Sequence, residues 1–181
     1  MSTHTPAAPV IVIDLQTGMF DGVMEPPIHD ADALVERARA VLAWARRSGR
    51  NVAFVRHDGP AGDSLAPGAP GWPVWPALGQ ADDEPTFAKN VGNAFGNPAL
   101  IAWVADQGVQ EVILLGAQTE HCVAATVQGA IDAGFKVTVV SDTHGTWDSS
   151  GETASEIIAR HNTAFATAGA RLVTAQSLAN I

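Results

Sequence analysis

The sequence predicts one α/β domain, a three-layer doubly wound sheet of about six mainly parallel strands with helices on both faces. Two observations predict it. Short β-branched apolar runs alternate with stretches of helical periodicity, which is how βα units read when they close a parallel sheet. The 181 residues fall within the range of one compact domain, and no Pro/Gly/Ser-rich linker divides them into balanced halves. The expected unit is residues 1–181, with 1–8 a flexible N-terminal segment.

Each element has a local reason. Val10 to Asp14 is the first strand. Leu34, Ala38, Val41, Leu42 and Ala45 recur at helical spacing, and Gly49 supplies a stop before a second strand over Asn51 to Arg56. A long loop runs from His57 to Pro85, ahead of a short strand at Thr86 to Lys89. Asn97 and Pro98 pair an N-cap with a first-turn proline, opening a helix that Gly108 closes. The strand Glu111 to Gly116 leads into a helix whose apolar face is Val123, Val127, Ala130 and Ile131, ending at Gly134. Lys136 to Ser141 is the fifth strand. Thr153 and Glu156 have capping-box spacing for a helix carrying Ile157, Ile158, His161 and Phe165, and Ala170 to Thr174 makes the sixth strand.

Composition excludes several functions. The formal charge of -9, with no Lys/Arg run, disfavours a nucleic-acid partner. No stretch reaches the ~20 consecutive apolar residues that would cross a bilayer, so no membrane partner is expected. A single cysteine cannot form an internal disulfide, and the first residues lack the pattern of a signal peptide; both point to a reducing cytoplasm.

That cysteine, Cys122, follows the fourth strand through Gln118, Thr119, Glu120 and His121. Thr119 has the chemistry of an N-cap, which puts Cys122 in the first turn of a helix. Unpaired N–H groups and the positive dipole end there favour an anion and lower a thiol's pKa from ~8.5 toward neutrality. Ligands of open parallel sheets bind at the carboxyl ends of the strands. Asp14 closes the first strand and Lys89 the third, so both reach the edge that carries Cys122. Together they offer a nucleophile, a proton acceptor and a cation.

Val10 to Gln16 (VIVIDLQ), Phe87-Ala88-Lys89 and Gly116 to Thr126 (GAQTEHCVAAT) resemble the signature segments of the isochorismatase-like cysteine hydrolases, which include nicotinamidases and carbamoylsarcosine amidases. The resemblance covers about residues 9 to 175 and keeps the order Asp, Lys, Cys. It implies a catalytic triad of Asp14 as general base, Lys89 as electrostatic partner and Cys122 as nucleophile. It also implies a cis peptide between Ala117 and Gln118. The reaction it suggests is cleavage of a C–N bond in a small amide, imide or ureide through a thioester. Backbone N–H groups of Gln118 and Cys122 would hold the oxyanion. Such chemistry needs no cofactor. Family members usually form dimers or tetramers, so a homodimer or homotetramer is expected. Vinyl-ether hydrolysis, as in isochorismatase itself, and a non-catalytic binding protein are the alternatives; the thiol disfavours the first and the full triad the second.

Other residues carry weaker expectations. His121 precedes the nucleophile, but adjacent helical residues point roughly 100° apart, so it is read as pocket-lining or solvent-facing. Gln16 would orient the base or the substrate amide. Phe20 and Phe95 follow catalytic strands and are candidate pocket neighbours. Trp72 and Trp75, in the segment GWPVWP, either wall the pocket, close over it or anchor the loop. Nicotinamidases of the family bind a metal through Asp-x-His and a further histidine after the second strand. Arg56-His57-Asp58-Gly59 lacks that spacing, and Asp142 and His144 lack a third ligand, so zinc is disfavoured and no metal is expected. Asp142 and His144 would instead fix the loop from Thr143 to Trp147.

Overall fold

Val10–Ile13 forms strand β1, and all four side chains are buried because both faces of the strand are covered. Val10 and Val12 pack into one apolar cluster, Ile11 and Ile13 into a second on the opposite face, as the two-residue period of a strand requires. The computed structural model of the chain describes residues 6–180. The expected flexible segment lies outside the described residues over 1–5, whereas Ala8 is buried and its carbonyl accepts from Arg50 at 3.0 Å.

The remaining strands are β2 (Val52–His57), β3 (Thr86–Lys89), β4 (Glu111–Ala117), β5 (Lys136–Gly145) and β6 (Arg171–Val173). Their order is β3-β2-β1-β4-β5-β6, and every pairing is parallel. Helices α1 (Ala31–Arg47) and α5 (Ala175–Ala179) contribute to the first cluster, and α2 (Pro98–Asp106), α3 (Ala124–Asp132) and α4 (Ala154–Thr167) to the second. This is the three-layer doubly wound sheet the alternating pattern predicts.

The local signals act as the chemistry demands. Asn97 caps α2 by accepting from Ala99 N at 2.9 Å, with Pro98 at the first helical position. Thr153 and Glu156 make a reciprocal capping box at the start of α4. The short helix α5 went unread in the sequence, although Thr174 and Ser177 form a reciprocal cap there too.

The chain reverses its direction of travel across the sheet between β1 and β4, the neighbours at the centre. Loops diverge at such a switch point and leave a crevice at the carboxyl edge. Gly116 lets the two strands meet there. Its φ of +142° lies where L side chains rarely go, and a Cβ would collide with the backbone of Ile13.

Strand β5 extends beyond the expected Ser141. Its pairing with β4 slips between Leu114 and Gly116, so that Gly116 faces His144 and Ala117 faces Gly145. The residues passed over by the slip do other work. Ser141 donates to Val173 O at 3.0 Å, and Asp142 Oδ1 accepts from Ala175 N at 2.9 Å, at the start of α5.

Candidate active site

Asp14 follows β1 at φ 52°, in the left-handed region, and its carboxylate is fully buried. Lys89 ends β3, and its Nζ donates to Asp14 Oδ2 at 2.7 Å and to Cys122 Sγ at 3.2 Å. The fold thus brings Asp14, Lys89 and Cys122 from three strand ends into one cluster. Cys122 is half-buried, while the side chains of Lys89 and Asp14 are 2% and 0% exposed.

A fourth group joins them, one that the sequence reading passed over. His57 ends β2 directly across from Lys89, and its Nδ1 lies 3.2 Å from Lys89 Nζ. In the sequence the Arg56-His57-Asp58 stretch shows only that metal-ligand spacing is missing; the strand pairing that puts His57 beside Lys89 is the signal that finds it. Asp14, His57 and Cys122 offer ligand atoms within 4.8 Å of one another. Their O, N and S chemistry suits a metal ion, but the buried Lys89 ammonium already sits among those atoms. The residues therefore do not fit a metal centre. Asp142 and His144 do not make one either, since they are engaged separately, Asp142 at the start of α5 and His144 with Thr119.

The segment bearing Cys122 departs from expectation in its first turn. Residues Thr119–Val123 form a wide π turn, and the residue capping it is Gln118, with no side-chain cap. Thr119 is not the N-cap. Its hydroxyl instead meets His144 Nδ1 at 2.9 Å, and His144 Nε2 meets Asn162 Oδ1 at 2.9 Å. Asn162 Nδ2 donates to Ser141 O at 2.9 Å, which fixes the amide orientation. His144 therefore donates from Nε2 and accepts the Thr119 proton at Nδ1. This chain braces the Cys122 turn against α4, a different task from the fixing of the 143–147 loop that the sequence suggests for His144. Burial holds the His144 imidazole below its ordinary pKa of 6.5.

The peptide between Ala117 and Gln118 is cis. Gln118 O accepts from the N–H groups of His121 and Val123 at 3.2 and 3.1 Å, which shapes the turn around the thiol. His121 is exposed and lies 3.7 Å from Glu120, so it faces solvent and not the sulfur.

Electrostatics reverse another expectation. Burial, with the Asp14 charge added to it, pushes the Cys122 thiol up to about 11, against the opposing pull of Lys89. Desolvation therefore favours the neutral thiol over the anion that a helix start would favour. Burial also raises the Asp14 carboxyl above its ordinary value, and Lys89 opposes the shift. A carboxylate made more basic beside a protonated thiol is the arrangement in which the proton can move on demand.

Several candidate pocket residues lie elsewhere. Gln16 is fully buried, and its amide is spent on backbone: it donates to His57 O at 3.0 Å and Trp72 O at 2.8 Å and accepts from His57 N at 2.9 Å. It ties β1 to β2 and to the long loop and is not available to a substrate. Phe95 is core, packed on Phe135 with centroids 5.5 Å apart. Phe20 stacks on Trp75 at 5.3 Å, and the pair lines a groove of about 570 Å³ with Pro27, Ile28 and Val35, a lining that includes none of Asp14, Lys89 and Cys122.

The loop carrying the tryptophans is an anchored strap. Thr17 N donates to Pro73 O at 2.8 Å, Gly18 N to Gly71 O at 2.9 Å and Trp75 N to Leu15 O at 2.9 Å. Trp72 is held by the residues on either side of His57. Its Nε1 donates to Asp58 Oδ1 at 2.8 Å, and the Arg56 guanidinium lies 3.6 Å over its ring.

Comparison with known proteins gives a consistent picture. The isochorismatase domain matches residues 8–176. A streptothricin hydrolase from Streptomyces noursei is 32% identical over 139 residues, covering 77% of this chain and 50% of that protein. The chain thus spans about half the length of that curated relative. An isochorismatase structure from Pseudomonas putida KT2440 is similar with a TM-score of 0.87 at 28% identity, covering 96% of this chain and 93% of that one. A cysteine hydrolase from Pseudomonas syringae pv. phaseolicola 1448A has a TM-score of 0.88 at 21% identity over 99% and 97% of the two chains, a likeness of fold alone.

Proposed function

The chain belongs to the isochorismatase family, and from that premise we propose that it is a cysteine-dependent hydrolase that cleaves a C–N bond in a small amide, imide or ureide. The observation that carries this reading is the Lys89 ammonium, which bonds Asp14 and Cys122 at once. A cation shared between a carboxylate and a sulfur can follow negative charge from one to the other as the proton moves.

The steps of the proposed reaction use this cluster. Substrate binding displaces water beside Cys122, whose proton passes to Asp14 as sulfur attacks the carbonyl carbon. The sulfur becomes an anion only at that moment, since its resting pKa of about 11 keeps it protonated beforehand. Backbone N–H groups of Gln118 and Cys122 take the developing oxyanion, an interaction worth about 3–4 kcal/mol per donor in such sites. The tetrahedral intermediate collapses, the C–N bond breaks, and Asp14 returns the proton to the leaving nitrogen. Water then gives its proton to Asp14 and attacks the thioester, releasing the acid and restoring the thiol. Lys89 stays a cation throughout and offsets the charge on whichever partner holds it.

The test is turnover by purified protein of primary amides and ureides, read as ammonia release, and of lactams, read by mass as the uptake of one water, with Cys122→Ala as the blank. Streptothricin belongs in that panel because a relative's name specifies its hydrolysis. Turnover that depends on Cys122 supports the reading, and equal turnover by Cys122→Ala overturns it.

A further inference from the structure

We propose that His57 is a positioning residue that acts through Lys89, and that the site works only while this imidazole is neutral. The proposal deepens the thiol-hydrolase reading above and rests on it. An ammonium group has donors and no acceptor, so the nitrogen 3.2 Å from it, Nδ1 of His57, must present a lone pair. The ring proton is then on Nε2. Lys89 Nζ has three hydrogens, and three acceptors meet them: Asp14 Oδ2 at 2.7 Å, His57 Nδ1 at 3.2 Å and Cys122 Sγ at 3.2 Å. With its side chain 2% exposed, water cannot substitute for a lost acceptor.

The imidazole's backbone is pinned at both of its polar groups, because Gln16 accepts from His57 N and donates to His57 O. The strand end cannot retreat when the ring changes charge. Protonation at Nδ1 replaces the lone pair with an N–H and sets a second cation against the ammonium. The charged and titratable groups around the ring are Asp14 from the end of β1, Lys89 from β3 and Cys122 from the nucleophile turn. On its own segment Arg56 and Asp58 lie 4.0 Å apart, with Asp58 also held by Trp72. A single carboxylate then faces two cations. Lys89 loses the acceptor that aims it between Asp14 and Cys122, so turnover falls as His57 gains its proton.

The experiment is the pH dependence of kcat/KM for an amide from the panel and, in parallel, of the rate of Cys122 alkylation by iodoacetamide. Both are measured in wild type, His57→Asn and His57→Phe. Asparagine retains an acceptor and cannot titrate; phenylalanine retains the ring and has no acceptor. We expect an acid limb in wild type that His57→Asn lacks while keeping most of its neutral-pH activity. In His57→Phe, kcat falls roughly tenfold to a hundredfold with little change in KM. The same acid limb in His57→Asn, or wild-type kcat in His57→Phe, would overturn the proposal. Alkylation needs no substrate, so it separates the two claims. If no amide is turned over, the hydrolase reading fails, and the alkylation profile still decides His57: a break in log rate against pH that is lost in His57→Asn upholds the contact with Lys89, and an unchanged profile refutes it. His57→Asn alone suffices should His57→Phe not fold.

Discussion

Lys89 Nζ lies 2.7 Å from Asp14 Oδ2 with both side chains withdrawn from water, although 75 residues separate them along the chain. Buried charges are costly to isolate, so the two are energetically one unit that joins the ends of β1 and β3 around β2.

Removing the cation should therefore harm more than activity. Lys89→Met leaves a buried carboxylate alone, and we expect a loss of about 3–5 kcal/mol in urea unfolding together with a near-complete loss of turnover. Asp14→Asn added to Lys89→Met should restore part of the stability and none of the activity. A double variant less stable than Lys89→Met would contradict the pairing.

The thiol gives a second prediction. Because burial and the Asp14 charge raise Cys122 to about 11, iodoacetamide alkylation of the ligand-free protein should keep accelerating with pH well past neutrality. Asp14→Asn removes one of those causes and should shift the profile to lower pH. A wild-type rate that levels off below about pH 8 would mean a preformed thiolate.

His144 sets a pH dependence of stability. Its folded pKa is depressed below 6.5 by burial, so the stability it contributes is present above that pH. That stability is lost as pH falls from 6.5 toward the depressed folded value, because the unfolded chain takes up the proton more readily. Melting temperature measured from pH 7.5 to pH 5, values chosen to bracket a pKa of about 6.5, should fall less steeply in His144→Gln than in wild type. Parallel curves would exclude the effect.

Gly116 should not tolerate a side chain. Its φ is +142° and a Cβ would press on Ile13 backbone where β1 meets β4, so Gly116→Ala should cost about 4 kcal/mol or abolish folding. Gly134, at φ +88° with open space around it, is the control: Gly134→Ala should cost only about 1 kcal/mol. Similar urea midpoints for the two variants would contradict the steric argument.

What could be read in the sequence was whatever local pattern determines. The apolar runs of β1 and β4, the Asn97-Pro98 start of α2 and the Thr153/Glu156 box are short-range signals, and each acts locally in the structure. The convergence of Asp14, Lys89 and Cys122 was legible because each follows or ends a strand and parallel sheets gather such ends on one edge. Contacts decided by packing were not legible. Thr119 looks like a cap until His144, brought opposite Gly116 by the slip in β5, claims its hydroxyl. Phe20 and Phe95 both follow strands, yet one stacks on Trp75 beside α1 and the other sinks against Phe135. The sign of the Cys122 shift likewise depends on how deeply the turn is buried, which its position at a helix start does not reveal.

The most direct test of a thiol that takes its substrate covalently is acid-quenched turnover of the fastest amide in the panel, followed by mass measurement of the peptide containing Cys122. The account predicts a mass increase equal to the substrate's acyl group on that peptide, lost on hydroxylamine treatment and never seen in Asp14→Asn. Steady turnover with no adduct on Cys122, undiminished in Cys122→Ala, would contradict it.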